Sequence, residues 1–191
     1  MQAAVTTQPG MHGGEAPSEW VRRWSHLVEP RADVLDVACG GGRHMRWFAG
    51  RGHRVVGVDR SPEAIASIQG LGETLLADIE NGPWPFPGRR FGAVVVTNYL
   101  WRPLLSTIVG SVAPGGALLY ETFASGNETV GKPSRPDFLL QPGELLGACE
   151  GLWVVGYEDG FLEQPPRFVQ RIAAVRRDVH APVVRHRLPP G

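Results

Sequence analysis

Residues 1–17 mix Gln, Thr, Gly, Pro and His without apolar periodicity and read as a mobile leader. From Ser18 the pattern changes. Trp20, Val21, Trp24, Leu27 and Val28 fall at i, i+1, i+4, i+7 and i+8, one face of a helix that Glu29-Pro30 ends. Strand and helix signals then alternate. Residues 34–38 (VLDVA) form a short apolar strand, 43–50 a helix, and 54–59 (RVVGVD) a second strand. Ser61 as N-cap, Pro62 at the first helical position and the acid Glu63 open the next helix. Residues 74–77 read as a third strand and 91–97 (FGAVVVT) as a fourth. A helix from Pro103 carries Leu104, Leu105, Ile108, Val109 and Val112, and the turn Ala113-Pro114-Gly115-Gly116 leads into a fifth strand at 117–122. Residues 123–141, rich in Gly, Pro and polar side chains, leave the carboxyl end of that strand, where loops usually carry function. A short helix (142–149) follows. Strands at 152–158 and 168–175, joined by a turn over 159–166, then close the chain as an antiparallel hairpin.

Strands that are apolar throughout suit a parallel sheet buried on both faces. With helices between them they predict an α/β fold: a doubly wound, Rossmann-like, mostly parallel seven-stranded sheet ending in the antiparallel hairpin. The domain spans 18–177, with 178–191 a flexible tail and no internal repeat.

Composition changes this picture little. The 191 residues are 42% hydrophobic and 20% charged with zero formal net charge, so no global field draws the protein to nucleic acid or anionic lipid. Basic residues gather in 171–187, where Arg176, Arg177, Arg185 and Arg187 read as a solvated tail. Cys39 and Cys149 lie far apart with no metal spacing, which suits a reducing compartment without disulfide or zinc. Neither a secretory signal nor an apolar run near the ~18 residues of a membrane span occurs, so a soluble, cytoplasmic protein is expected.

The glycine turn Asp36-Val37-Ala38-Cys39-Gly40-Gly41-Gly42 lies between the first strand and first helix, where backbone N–H groups can approach a ligand. A dinucleotide fingerprint needs a third glycine three residues after the second; after Gly42 that position is Met45. A P-loop is nearly matched at 126–132 (GNETVGK), but Pro133 follows where a hydroxyl must bind Mg²⁺.

The segment VLDVACGGGRHMRWFAGRGHRVVGVDRSPEAI resembles motifs I and II of class I S-adenosylmethionine-dependent methyltransferases, nearest the small-molecule branch that includes tellurite-resistance-type enzymes. LADIENGPWPFPGRRFGAVVV resembles the family's third-strand acid, Pro-Phe-Pro bend and fourth strand, and VAPGGALLYETF its turn into the fifth strand. The first motif glycine is Ala38 here. The resemblance implies that the backbone of Ala38, Cys39, Gly40 and Gly42 passes along the methionine part of the cofactor, with Asp36 orienting the turn or the amino group. It implies that Asp59 accepts from the ribose hydroxyls, a task suited to an acceptor-only carboxylate; a cap on the helix at Ser61 is the alternative. Arg60 flanks the adenosine. Asp78 meets the adenine amino group beside Ile79, unless it only forms the turn before Asn81-Gly82. Asn98 touches the cofactor. Tyr99, Tyr120 and Glu121 are weaker candidates for the acceptor pocket, against packing roles.

His53 is expected at the surface, away from the cofactor, and His44 in helix packing. Cys39 fills a small slot. Neither an obligatory catalytic residue nor a metal is expected, since the methyl donor is already activated and alignment can supply much of the rate. The expected partner is a small-molecule acceptor, with no nucleic acid and no membrane, in a monomer or weak homodimer. Two other functions fit less well: a non-catalytic S-adenosylmethionine-binding module and a dinucleotide-dependent oxidoreductase.

Overall fold

A computed structural model of the chain describes residues 16–188; most of the leader, and residues 189–191, lie outside it. The strands are β1 (Asp33–Val37), β2 (Arg54–Asp59), β3 (Glu73–Leu76), β4 (Phe91–Thr97), β5 (Val112–Phe123), β6 (Trp153–Glu163) and β7 (Pro166–Val175). They form one sheet in the order β3-β2-β1-β4-β5-β7-β6. β1 to β5 run parallel, while β7 is antiparallel to both β5 and β6. The predicted α/β architecture and its closing hairpin are therefore present.

Side chains alternate across each strand, so each face builds its own core. Val34, Ala93, Val95 and Leu119 point to one face, covered by α1 (Glu19–Trp24), α2 (Arg43–Ala49) and the end of α3 (Pro62–Ser67). Leu35, Val94, Leu118 and Tyr120 point to the other, covered by α4 (Leu105–Gly110) and α5 (Glu144–Ala148). Trp20 of α1 is fully buried, and its indole N–H donates to the carbonyl of Ile172 at 3.2 Å.

Met45, at the position of the dinucleotide fold's third glycine, is buried against β2. The close approach is provided from the strand side: a Cβ at Gly57 would lie 2.4 Å from Met45 Sδ and 2.9 Å from Cys39 Sγ. Glycine and large residue have exchanged elements. Gly57→Ala should lower stability by about 1–3 kcal/mol through overpacking, read from urea unfolding midpoints; an unchanged midpoint would show that Met45 moves aside freely.

Several boundaries differ from expectation. α1 is only six residues long, because Ser25–Leu27 tightens into a 3₁₀ turn. The hairpin turn is two residues, Gln164-Pro165, and the polar run before it belongs to β6. β6 is an edge strand with no fully buried residue, and its exposed Asp159, Gly160 and Glu163 resemble a loop in composition. Arg171 and Arg176 are no part of a solvated tail. Arg171 is 7% exposed in β7, and Arg176 donates to the carbonyls of Val112 and Val109 at 2.8 Å. Among the described residues no helix is long and apolar enough to cross a membrane.

Candidate active site

The strand order reverses between β1 and β4, and the carboxyl ends of strands at such a switch point are where open α/β sheets bind ligands. The glycine turn lies there. Cys39 N–H donates to Val58 O at 3.0 Å, extending the ladder, and Gly42 N–H donates to Cys39 O at 2.9 Å, closing the turn. Ala38, Gly40 and Gly42 all take left-handed backbone, with φ of 53°, 50° and 71°. Gly42 is required twice over, since a Cβ there would also meet Ile68 Cγ2 at 2.6 Å. Nothing lies within 4 Å of a Cβ built at Gly40, so the turn is open above that residue.

Asp59 ends β2 and faces this turn. Its Oδ2 accepts Gly40 N–H at 2.8 Å and its Oδ1 accepts Ser61 N–H at 2.9 Å, while Ser61 Oγ caps α3 through Ala64 N–H. The carboxylate thus joins the glycine turn to the β2 loop and keeps further lone pairs for a ligand. Beside it, Ala38, Arg60, Ile79, Glu80 and Tyr99 help line a cleft of about 110 Å³. Sites that enclose a whole drug-sized ligand run to roughly 300–1,000 Å³, so this cleft has room for only one end of such a molecule.

Asp78 also lines the cleft, and its carboxylate organises the following turn. Oδ1 accepts the N–H groups of Glu80 and Asn81, and Oδ2 accepts Asn81 Nδ2 at 2.9 Å. These bonds hold its carboxyl below the usual range. Tyr99 belongs to this cleft as well, and its hydroxyl is buried without a hydrogen-bond partner among the described residues. Burial keeps that phenol protonated well above its ordinary range. Tyr120 lies in the same layer as Ile79 and Tyr99, 1% exposed, and its hydroxyl donates to Tyr99 O at 2.8 Å. It supports Tyr99.

Asp36 lies beneath the turn, 2% exposed, with Oδ2 lacking a hydrogen-bond partner among the described residues. Burial raises its carboxyl well above 3.8, opposed by the charge of Arg43 and reinforced by Asp59. Asn98 ends β4 in left-handed backbone, with φ of 54°, its side chain exposed and its N–H donating to Glu121 O at 2.9 Å. Glu121, 1% exposed at the end of β5, accepts from Ser18 Oγ, Arg171 and Arg167 at 3.1, 3.3 and 3.4 Å. Arg171 also meets Glu158 and stacks over Trp20. Sequence reasoning missed Arg167 and Arg171, whose partners are remote in the chain. Cys39 is buried and its thiol pushed far up, mainly by desolvation, so it is no nucleophile. His53 is half-buried at the amino edge of β2, within 3.3 Å of Ala32 O. No cluster of potential metal ligands occurs among the described residues.

A methyltransferase-domain family model matches residues 34–116, the span from β1 to the start of β5. The fold and the glycine-turn site agree with this match, and together they support an S-adenosylmethionine-dependent methyltransferase, an enzyme with that methyl donor as cofactor. Among its relatives is the thiopurine S-methyltransferase of Pseudomonas fluorescens, 28% identical over 84% of this chain and 71% of that enzyme. In fold it is similar to TehB from Haemophilus influenzae, at a TM-score of 0.71 and 20% identity over 87% of this chain and 64% of that one. A TehB-like S-adenosylmethionine-dependent methyltransferase from Corynebacterium glutamicum gives a TM-score of 0.63 and 18% identity over 86% and 90% of the two chains.

The residues suit that cofactor. The unpartnered Asp36 oxygen fits an ammonium, the lone pairs of Asp59 a ribose diol, and the cleft between Ile79 and Tyr99 a flat heterocycle. One consequence is pH-dependent binding. Burial raises the Asp36 carboxyl, and an ammonium placed beside it would favour the carboxylate, so binding there would lower its pKa and release protons. Arg43, Asp59 and His44 also face Asp36, and none of them removes this sign. Affinity for S-adenosylhomocysteine should therefore fall as pH drops through the raised Asp36 pKa. Calorimetry in two buffers of different ionisation enthalpy should show proton release, and its absence would remove Asp36 from contact with the ammonium.

Proposed function

We propose that the enzyme methylates a small molecule received at the carboxyl ends of β4 and β5, beside Asn98 and Glu121. The observation that carries this reading is the Asp59 carboxylate, which joins the glycine turn to the β2 loop at the mouth of the cleft. In this reading Asp36 and the backbone of Ala38–Gly42 hold the methionine end. Asp59 takes the ribose, with Arg60 at its flank, and Asp78, Ile79 and Tyr99 enclose the adenine. S-adenosylmethionine, when bound, supplies a methyl group already activated on a sulfonium, ready for in-line displacement.

The chain's residues then orient the reactants and exclude water, which can account for much of such an acceleration. None of the candidates is a ready base. Glu121 is engaged by two guanidinium groups and a hydroxyl. His44 is buried, and desolvation lowers its pKa to about 3. An acceptor that enters already deprotonated, or with a lone pair free, suits this site. A small acceptor agrees with the name of the Pseudomonas fluorescens relative and with zero net charge, which offers no field for nucleic acid. The free, buried Cys39 and Cys149 support the reducing cytoplasm as its compartment.

The test is methyl transfer from labelled S-adenosylmethionine to a panel of small thiols, amines, phenols and oxyanions, with tRNA and bulk protein alongside. Labelled product from a small acceptor is expected. Label found only in RNA or protein would overturn the small-molecule reading, and label in no acceptor would favour a binding module.

A further inference from the structure

His44 is 2% exposed in α2, just after the glycine turn, and its two ring nitrogens face different elements. Nε2 accepts the backbone N–H of Ser18 at 3.1 Å. An amide nitrogen can only donate, so Nε2 bears no proton and the neutral ring carries its hydrogen on Nδ1. Nδ1 lies 3.9 Å from Asp36 Oδ2, the oxygen without a hydrogen-bond partner among the described residues, a little beyond hydrogen-bond distance. Ser18 continues the line. Its hydroxyl accepts Trp20 N–H at 3.1 Å, capping α1, and donates to Glu121 Oε1 at 3.1 Å. A buried row of polar groups therefore runs from beneath the cofactor turn, through the first residue before α1, to the end of β5.

We propose that His44 is a positioning residue that couples cofactor binding to the docking of α1 on the sheet. The inference rests on the reading that Asp36 faces the cofactor's ammonium. When that carboxylate is engaged, its position fixes the Nδ1–H side of the ring, and the ring fixes the Ser18 amide through Nε2. A histidine held only for packing has no need of two polar neighbours, and in this apolar layer with Trp20 and Met45 a leucine would fill the space without desolvating an imidazole. By linkage the effect is reciprocal: whatever tightens α1 docking tightens cofactor binding by the same factor.

The two nitrogens can be separated by substitution. In His44→Asn the side-chain amide can occupy the Nδ1 position and supply a donor toward Asp36, but it does not reach Ser18. In His44→Gln it reaches the Nε2 position and supplies an acceptor for Ser18. His44→Leu removes both. The readouts are the affinity for S-adenosylhomocysteine by calorimetry and amide hydrogen exchange in Glu19–Trp24 with and without that ligand.

In the wild type, the ligand should slow exchange in α1 by tenfold or more. His44→Asn should bind within about threefold of the wild type but lose that slowing. His44→Gln should keep wild-type exchange in α1 without ligand, yet gain no further slowing on binding. His44→Leu should lose both the slowing and at least tenfold in affinity. Ligand binding to the wild type with no change in α1 exchange would overturn the coupling while leaving the cofactor assignment intact. Equal slowing in the wild type and His44→Asn would overturn it too. Failure of the wild type to bind the ligand at all would instead overturn the site that the inference rests on.

Discussion

Arg171→Met should cost about 3–5 kcal/mol of unfolding free energy, the range expected when one partner of a buried ion pair is removed. Arg171 is 7% exposed and Glu121 1% exposed, on adjacent strands paired residue against residue. Without the guanidinium, Glu121 keeps the Ser18 hydroxyl and the more distant Arg167, too little to offset its lost solvation. Such a loss is a large share of the roughly 5–15 kcal/mol that stabilises a typical domain. The double variant Arg171→Met/Glu121→Gln should recover part of it, because the stranded charge is gone. Urea unfolding of the four proteins in the cycle measures both effects. A single Arg171→Met variant within 1 kcal/mol of the wild type would mean that Glu121 rearranges to water and that the cluster stabilises little.

Asp59→Ala should weaken S-adenosylhomocysteine binding about a hundredfold or more, equivalent to roughly 2.7 kcal/mol. Two losses combine. The ligand's diol loses a charged acceptor, and hydrogen bonds to charged groups contribute about 1.5–3 kcal/mol each. The turn also loses the ties to Gly40 and Ser61 that hold its open backbone in place before the ligand arrives. Asp59→Asn, with one acceptor oxygen retained, should fall between the two. The circular dichroism spectrum should stay unchanged, since Asp59 sits at the end of β2 outside both cores. Unchanged affinity in Asp59→Ala would leave Asp59 with a turn-holding role alone.

The central sheet was legible because its strands are buried on both faces and so carry unbroken apolar runs: Arg54–Asp59 and Phe91–Thr97 match their predicted limits. The edge was not. β6 has no fully buried residue, and its exposed Asp159 and Gly160 carry the same composition as a turn. Charge was misread for a related reason. A run of arginines near the chain end says nothing about Glu121, 50 residues earlier, yet that contact buries Arg171. The cofactor motifs were legible because they are local: Asp36, the glycine turn and Asp59 lie within two strands and one helix of each other. Tyr120 and Glu121 are both buried, and the alternation within β5 sends these neighbours to opposite layers. His44 gave no usable signal, because its partner Ser18 lies 26 residues away across a strand.

The cofactor assignment has a direct test in a calorimetric titration of the full chain with S-adenosylhomocysteine, S-adenosylmethionine and NAD(H). Saturable one-site binding of both adenosyl ligands, with no binding of NAD(H), is the predicted result. Binding of NAD(H) with neither adenosyl ligand bound would contradict it, and would return the glycine turn, Met45 included, to the dinucleotide folds.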